Sequence, residues 1–402
     1  MNKFKELGLS DKLVQNLEKD GITEPTEIQE KAIPLTLKGQ DVIGGSATGS
    51  GKTLAFAASI IENVEPARDA DGVQALILTP TRELAEQISQ SIIKFSKGFP
   101  VSVLPIYGGV SIDNQIRKIS TSNIVVGTPG RILDHINRRT LNLSHVNHLV
   151  LDEVDRMFEM GFQDDVESII RECPKDRQSC MFSATVSAEL DYLSKKHSNN
   201  AQEIIVKSMV DPSKLKQVFY DVPSKVKFSF LVHLLKEENS DVVMVFCNTR
   251  RNVDFVADNL NLNGINAQAI HGGLNQSKRQ SVLGKFHKGH VNVLVCTDVA
   301  ARGLDIKGVT HVYNYDIPDT PTDYIHRIGR TARAGEDGIA INVVSDRDYD
   351  NFREVMDSDK LNIKQEEVPY VPRAKMKIPE RNNRGRRDSR GGNNRGSRGR
   401  DS

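Results

Sequence analysis

Long apolar runs are missing from this chain. Nowhere in its 402 residues is there a stretch near the ~20 consecutive apolar positions that a bilayer-spanning helix requires. The first residues, Met1-Asn2-Lys3-Phe4-Lys5-Glu6, hold no apolar signal-peptide core either. Both absences argue against a membrane partner and make the cytoplasm the expected location. Cysteine is scarce: Cys173, Cys180, Cys247 and Cys296 form no CxxC pair and no disulfide ladder. Two of them sit inside apolar runs, so buried free thiols in a reducing compartment are expected. Net charge is also small, at +1, but it hides a split. Residues 381–402 carry eight Arg against two Asp, which leaves the rest of the chain at −5. A near-neutral body with a basic tail implies a polyanionic partner. The tail has no aromatic residue, so it has no platform on which to stack bases selectively.

What is present begins with Ser46-Ala47-Thr48-Gly49-Ser50-Gly51-Lys52-Thr53. It follows a short apolar run, Asp41–Gly44, and precedes Leu54–Ile61, which reads as a helix. Strand, glycine-rich turn and helix form the context of a phosphate loop. Glycines let backbone N–H groups converge on an anion, and the helix start adds positive dipole there. Lys52 is the mobile charge for the outer phosphates, and the Thr53 hydroxyl is a ligand for Mg²⁺. Ser46 stands where the motif has its first glycine.

Met1–Gln40 reads as helix, turn, helix, with a stop at Gly21 and a new start at Pro25-Thr26. Strands alternating with helices follow: Ala75–Leu78, Asn123–Val126, His148–Leu151, Ser179–Phe182 and Glu203–Val206. Residues 208–216 break the pattern and read as a linker between a first domain (1–207) and a second (217–370). The second series of strands is Gln217–Asp221, Val242–Phe246, Ala267–Ile270, Val291–Val295, His311–Asn314 and Ile339–Val344. The alternation predicts α/β domains with parallel sheets covered on both faces, two copies of one architecture. From 371 to 402 an Arg/Gly-rich composition predicts a disordered basic tail.

Polar clusters fall directly after the strands, where open α/β sheets bind ligands. They are Pro80-Thr81-Arg82, Thr128-Pro129-Gly130-Arg131, Asp152-Glu153-Val154-Asp155, Ser183-Ala184-Thr185, Asn248-Thr249-Arg250 and Thr297-Asp298. Asp152 is expected to end a strand beside the phosphate-loop strand and to hold Mg²⁺ there. Glu153, one residue on, is the candidate for orienting and deprotonating an attacking water. In His326-Arg327-Ile328-Gly329-Arg330-Thr331-Ala332-Arg333, Arg330 and Arg333 share a helix face. They are candidate arginine fingers for the γ-phosphate, supplied by the domain that does not carry Lys52.

Together these residues resemble the DEAD-box family of RNA helicases, within helicase superfamily 2, from about Phe4 to Asp346. Gly21-Ile22-Thr23-Glu24-Pro25-Thr26-Glu27-Ile28-Gln29 is similar to that family's Q motif. The resemblance implies two RecA-like domains, RNA-stimulated ATP hydrolysis, and local unwinding of short duplexes or RNP remodelling by domain closure. It implies that Thr26 and Gln29 hold ATP, that Phe4 stacks on adenine, and that Asp305 meets the ribose. It implies that Asp155, Ser183, Thr185 and His326 couple nucleotide state to closure. RNA-backbone contacts are implied for Pro80, Thr81, Arg82, Gly109, Thr128, Gly130 and Arg131. In the second domain they are implied for Asn248, Thr249, Arg250, Gln276, Arg279, Thr297 and Asp298. The name-giving tetrad is Asp-Glu-Val-Asp, with Val154 where the family has Ala, which predicts local repacking. RNA is the implied partner, bound without reading sequence, and RNP or ribosomal partners are compatible with it. An ATP-gated RNA clamp with weak unwinding and a non-catalytic RNA-binding protein are the alternative readings.

Overall fold

The computed structural model describes residues 2–45, 49–66, 72–183, 188–206, 215–238, 242–301, 304, 306, 308–332, 337–357 and 361–377. Ser46, Thr48, Thr185, Asp305 and Arg333 therefore lie outside the described residues, as does the tail after Lys377.

Strands β1 (Val42–Gly45), β2 (Ala75–Leu78), β3 (Val103–Ile106), β4 (Ile124–Gly127), β5 (His148–Leu151), β6 (Gln178–Ser183) and β7 (Gln202–Ile205) form the first sheet. The second holds β8 (Leu215–Asp221), β9 (Val243–Phe246), β10 (Ala267–Ile270), β11 (Val293–Cys296), β12 (His311–Asn314), β13 (Gly338–Val344) and β14 (Lys364–Gln365). Among the described residues, ten helices accompany the first sheet: α1 (Lys3–Glu6), α2 (Asp11–Lys19), α3 (Glu27–Leu37), α4 (Lys52–Asn63), α5 (Arg82–Phe95), α6 (Ile112–Ile119), α7 (Pro129–Asn137), α8 (Val154–Glu159), α9 (Gln163–Arg171) and α10 (Ala188–His197). Six go with the second: α11 (Lys227–Glu237), α12 (Arg250–Leu262), α13 (Gln276–His287), α14 (Asp298–Ala301), α15 (Pro321–Ile328) and α16 (Tyr349–Met356).

Both sheets are parallel throughout, in the orders β3-β4-β2-β5-β6-β1-β7 and β10-β11-β9-β12-β13-β8-β14. Adding seven to each label of the first order gives the second, so the two domains repeat one topology. The central strands are buried on both faces because helices cover both. In the first domain Ala75 and Ile77 point into one core, with Phe56 and Ile88, while Leu76 and Leu78 point into the other, with Met157 and Ile169. Val154 is fully buried in that second core, alongside Leu151 and Met181.

Four differences from the sequence reading have physical causes. β3 carries Pro105, which spoils its strand signal; it is an edge strand bonded only to β4, where a missing N–H is tolerated. β6 lies between β1 and β5, so the strand ending at Asp152 is the second neighbour of the phosphate-loop strand, roughly 10 Å away at normal strand spacing. β8 starts at Leu215, inside the segment read as linker, because its N-terminal residues pair with Gly338 and Ile339. Lastly, residues 371–377, read as part of the disordered tail, lie against the second domain. Val371, Ala374 and Met376 pack on its core, and side chains of α11, α12 and the α12 C-cap bond their backbone. The cysteines are all free and buried, and burial pushes their thiols up, Cys173 to about 11 and Cys180 to about 12. Among the described residues no helix is long and apolar enough to cross a membrane.

Candidate functional site

The phosphate loop is gripped from behind by the start of α3. Thr26 Oγ1 donates to the Ser50 carbonyl (2.7 Å), and Gln29 Nε2 donates to the Gly51 carbonyl (3.0 Å). Gly51 has φ +92°, and a Cβ there would sit 2.3 Å from Gln29 Nε2, so the position demands glycine. The Thr26 N–H donates to Gln29 Oε1 (3.0 Å) in a capping box. A primary amide has two N–H groups and two acceptor lone pairs. These bonds use one of each and leave one of each, the pair that adenine's N6–H and N7 edge matches. Gly49, Ser50, Lys52 and Thr53 follow on the loop and the first turn of α4.

Phe4 does not fit the role that the resemblance implied. Its side chain is 0% exposed, within the first-domain core that also holds Leu13 and Ile28, so no ring face is open to a base. Phe4→Ala is expected to cost about 3–5 kcal/mol of stability with the KM for ATP of the folded enzyme within twofold. Denaturant titration and ATPase kinetics check this; a tenfold rise in KM at unchanged stability would restore the stacking role.

The long Lys52 side chain spans the gap between β1 and β5: its Nζ lies 3.9 Å from Asp152 Oδ1, both groups nearly fully buried. Burial pushes the Asp152 carboxyl up to about 6; Lys52 opposes that push and the Glu153 carboxylate adds to it. Burial acts the same way on Glu153, but Arg156, Lys52 and Arg330 overcome it and hold that carboxyl well below the usual range. Arg156 NH1 lies 2.6 Å from Glu153 Oε2. Arg330 belongs to the second domain, where its NH1 donates to the Leu304 carbonyl (2.8 Å). Its charge nonetheless acts on a carboxylate of the first. Glu153 is ionised but is a weak base, suited to orienting a water and taking its proton late. Glu153 and Ala332 are non-glycine residues with positive φ, +54° and +53°, so backbone strain flanks the site from both domains. Asp155, in the first turn of α8, has its Oδ1 on the Arg156 N–H (2.9 Å). Ser183, at the end of β6, is buried, and His326 sits in the last turn of α15.

The donor set here suits Mg²⁺. Asp152 offers a buried carboxylate and Thr53 a hydroxyl. Among the described residues no group of three or more His, Cys, Asp or Glu is placed to hold a metal by itself. A dication would take its remaining ligands from phosphate and water, as Mg²⁺ does.

A second site has one rim on each domain, the two built from the same parts. After β3, Gly109 has φ +81°, and a Cβ there would lie 2.2 Å from Arg82 NH1. After β10, a Cβ on Gly272 would lie 3.2 Å from Arg250 NH2. Each glycine pair thus cradles the first-turn arginine of the helix after β2 or β9. Thr81 and Thr249 cap those helices, accepting the Leu84 and Asn252 N–H groups (3.3 and 3.1 Å). Helix N-termini with adjacent arginines are phosphate sites. The pairing of Gly272-Gly273 with Gly108-Gly109 went unread in the sequence, although both follow equivalent strands. Arg131 joins the first rim; its NH1 is held by Gln115 Oε1 (3.0 Å) and the Val110 carbonyl (3.3 Å).

A cleft of about 550 Å³ runs between the domains, lined by Pro80, Thr81, Arg82, Thr128, Gly130 and Arg131 on one side and by Gln276 and Arg279 on the other. Arg279 and Asp298, both predicted contacts, are already engaged. Arg279 Nε bonds Glu83 Oε1 across the cleft (2.7 Å), both side chains nearly buried. Asp298 accepts a bidentate bond from Arg327 Nε and NH2 (both 2.6 Å). The first pair joins the two domains across the cleft, and the second ties α14 to α15 within the second domain. Arg327 went unread in the sequence. It is 1% exposed and also donates to Asn248 Oδ1 (2.8 Å), Asn314 Oδ1 (3.2 Å) and the Asp316 carbonyl (2.6 Å).

Comparison with known proteins agrees with this geometry. The DEAD/DEAH box helicase family matches residues 26–193, and the helicase conserved C-terminal domain matches 226–335. The chain belongs to the DEAD-box helicase family. The ATP-dependent RNA helicase CshA of Listeria monocytogenes is 48% identical over 92% of this chain and 71% of its own length. The DEAD-box ATP-dependent RNA helicase CshA of Geobacillus kaustophilus is 46% identical over 93% and 80%. Among solved structures, S. cerevisiae Dbp5 bound to RNA and ADP BeF3 matches with a TM-score of 0.83 at 31% identity, covering 92% of this chain and 96% of that one. A DEAD box protein from Methanococcus jannaschii is more similar in sequence, at 42%, yet scores 0.54 over 90% and 98%.

Proposed function

We propose that this chain is an ATP-dependent RNA helicase whose two domains close on ATP and RNA together. The observation that carries the reading is that both sites draw on both domains: Arg330 acts on Glu153 at one, and Arg279 meets Glu83 at the other. The first domain ends near residue 207; the second runs from β8 to Lys377. ATP is read by Gln29 and Thr26, and its phosphates are held by the loop through Thr53. Asp152 and Thr53 would hold Mg²⁺, which would supply positive charge at the outer phosphates. Glu153 orients the water, and Arg330 and Arg333 stabilise the transition-state charge. RNA lies across the two arginine rims, bound through its backbone, with 2′-hydroxyl contacts distinguishing it from DNA. Closure holds the strand in a shape that a duplex does not permit, so short duplexes open locally. Coupling between the sites is reciprocal: RNA tightens ATP and ATP tightens RNA. The cytosol suits four buried free thiols, and structured RNPs are suitable substrates.

Steady-state ATP hydrolysis without nucleic acid, with RNA, and with DNA of the same sequence tests this. RNA is expected to raise kcat/KM at least tenfold and DNA much less. Glu153→Gln is expected to lower kcat by about 10²–10⁴. Equal stimulation by DNA would overturn the substrate assignment, and hydrolysis without duplex unwinding would favour the clamp.

A further inference from the structure

The backbone of residues 374–377 is read by side chains on the outer face of the second domain. The Lys375 N–H donates to Asn263 Oδ1 (3.1 Å), and Asn263 Nδ2 donates back to the Lys375 carbonyl (2.8 Å). One turn earlier on α12, the Lys377 N–H donates to Asn259 Oδ1 (2.6 Å), and Asn259 Nδ2 returns a bond to the Lys377 carbonyl (3.2 Å). Each amide is locked in orientation by a further Nδ2 bond to the carbonyl four residues before it, Phe255 or Asn259 (both 2.8 Å). The Ala374 N–H, facing the other way, donates to Ser229 Oγ on α11 (3.1 Å). A peptide therefore lies in the α11–α12 groove, antiparallel to α12.

The fit is periodic. Four helical residues advance about 6 Å, and two extended residues advance about 6.4–6.8 Å. The row Asn263, Asn259 on the helix thus stays in step with Lys375, Lys377 on the peptide. Carried on, the helix row gives Phe255 and then Arg251, and the peptide gives Pro379 and then Arg381. Phe255 has no side-chain acceptor and Pro379 has no N–H, so no donor goes unmatched at that step; the Pro379 carbonyl is left to water. At this point α12 borders a cavity of about 540 Å³, lined by Arg251, Asp254, Phe255, Asp258, Leu262 and Lys377, the last described residue. Its apolar wall suits Ile378-Pro379. Its two exposed carboxylates, Asp254 (also 2.9 Å from His271 Nε2) and Asp258, suit Arg381, with Arg251 and Lys377 the like charges on the same lining.

We infer that this groove is a docking site for the chain's own residues 371–381, which seats Arg381 level with the start of α12. Arg250, in the second rim, is one residue from Arg251. The remaining tail arginines then begin at the RNA cleft rather than at an arbitrary point on the surface. This last step rests on the RNA reading proposed above; the docking does not.

Hydrogen–deuterium exchange on the full chain, without nucleotide or RNA, is the test. Amides of 374–377 and of 378–381 are expected to exchange at least tenfold more slowly than in an unstructured chain. Asn259→Ala with Asn263→Ala should remove protection from both segments. Asp258→Asn, an exposed change, should speed exchange only at 378–381, by three- to tenfold. Exchange of 378–381 at the free-chain rate in the wild type would overturn the docking. For the tail, the double variant should raise the RNA concentration for half-maximal ATPase three- to tenfold at constant kcat, with a shallower salt dependence. Lost protection with unchanged RNA half-saturation would overturn the delivery of the tail to the cleft. Failure of RNA to stimulate even the wild type would instead sink the RNA reading and leave the exchange result standing.

Discussion

Arg327→Leu is expected to lower the melting temperature of the second domain by about 10 °C and to abolish RNA stimulation of the ATPase. Its guanidinium is buried against the Phe246 ring (5.2 Å) and bonds Asp298, Asn248, Asn314 and the Asp316 carbonyl. Removing one partner of a buried ion pair leaves the other charge unpaired and costs about 3–5 kcal/mol. For a domain of this size each kcal/mol moves the midpoint by roughly 2–4 °C. The functional loss follows from what the network holds. Asn248 lies in the loop after β9, and Asp298 starts α14 after β11. Without Arg327 those two rim segments are no longer tied to α15, which precedes Arg330 by two residues. Binding of ATP alone should survive, because Thr26, Gln29 and the phosphate loop are in the other domain. Arg327→Lys sharpens the test: it keeps the charge but not the fork, and should recover stability only partly. Calorimetry with RNA-titrated ATPase measures both effects, and a leucine variant that melts like wild type would remove Arg327 from the argument.

Arg327 also shows where sequence reading runs out. Its hydrogen-bonded side-chain partners lie between 13 and 79 residues away in the chain, so no local spacing announces the cluster. The phosphate loop was legible because its demands are local: a positive φ at Gly51, a lysine, a helix start. The strand–helix alternation was legible for the same reason, since both periods are written within each element. Sheet order is not, and the insertion of β6 between β1 and β5 shows the result. Composition misled at residues 371–377, where three partly buried apolar side chains carry little signal and backbone bonds to asparagines on another element supply the order. Phe4 marks the converse limit. A family role was transferred by spacing alone, and burial removed the open face that the role requires. The doubled glycine–arginine cradle appeared only when topology aligned β3 with β10.

Asp152→Asn is expected to abolish hydrolysis while making the ligand-free protein more stable at pH 7. Burial raises the Asp152 pKa to about 6 from the ordinary value of 3.8. The native state therefore holds a proton between roughly those two values that the unfolded chain has lost. Stability must fall as pH rises through that window, and above it the ionised carboxylate opposes folding. Every tenfold difference in proton affinity between the native and unfolded states corresponds to about 1.4 kcal/mol. The neutral isostere removes that cost but also removes a partner of Lys52, 3.9 Å away, so a net gain of about 1–2 kcal/mol is expected. Magnesium and a nucleotide should reverse the order. The wild-type carboxylate then faces a cation, and binding to the native state adds stability that the amide lacks. The two melting curves should thus cross: the variant higher without ligand, the wild type higher with Mg²⁺ and a non-hydrolysable ATP analogue. The same ionisation sets the acid limb of the ATPase, which should fall as pH drops toward 6 at low Mg²⁺ and at lower pH when Mg²⁺ is saturating. A variant less stable than wild type without ligand would show that Asp152 serves the fold rather than the chemistry, and an acid limb indifferent to Mg²⁺ would remove it from the metal site.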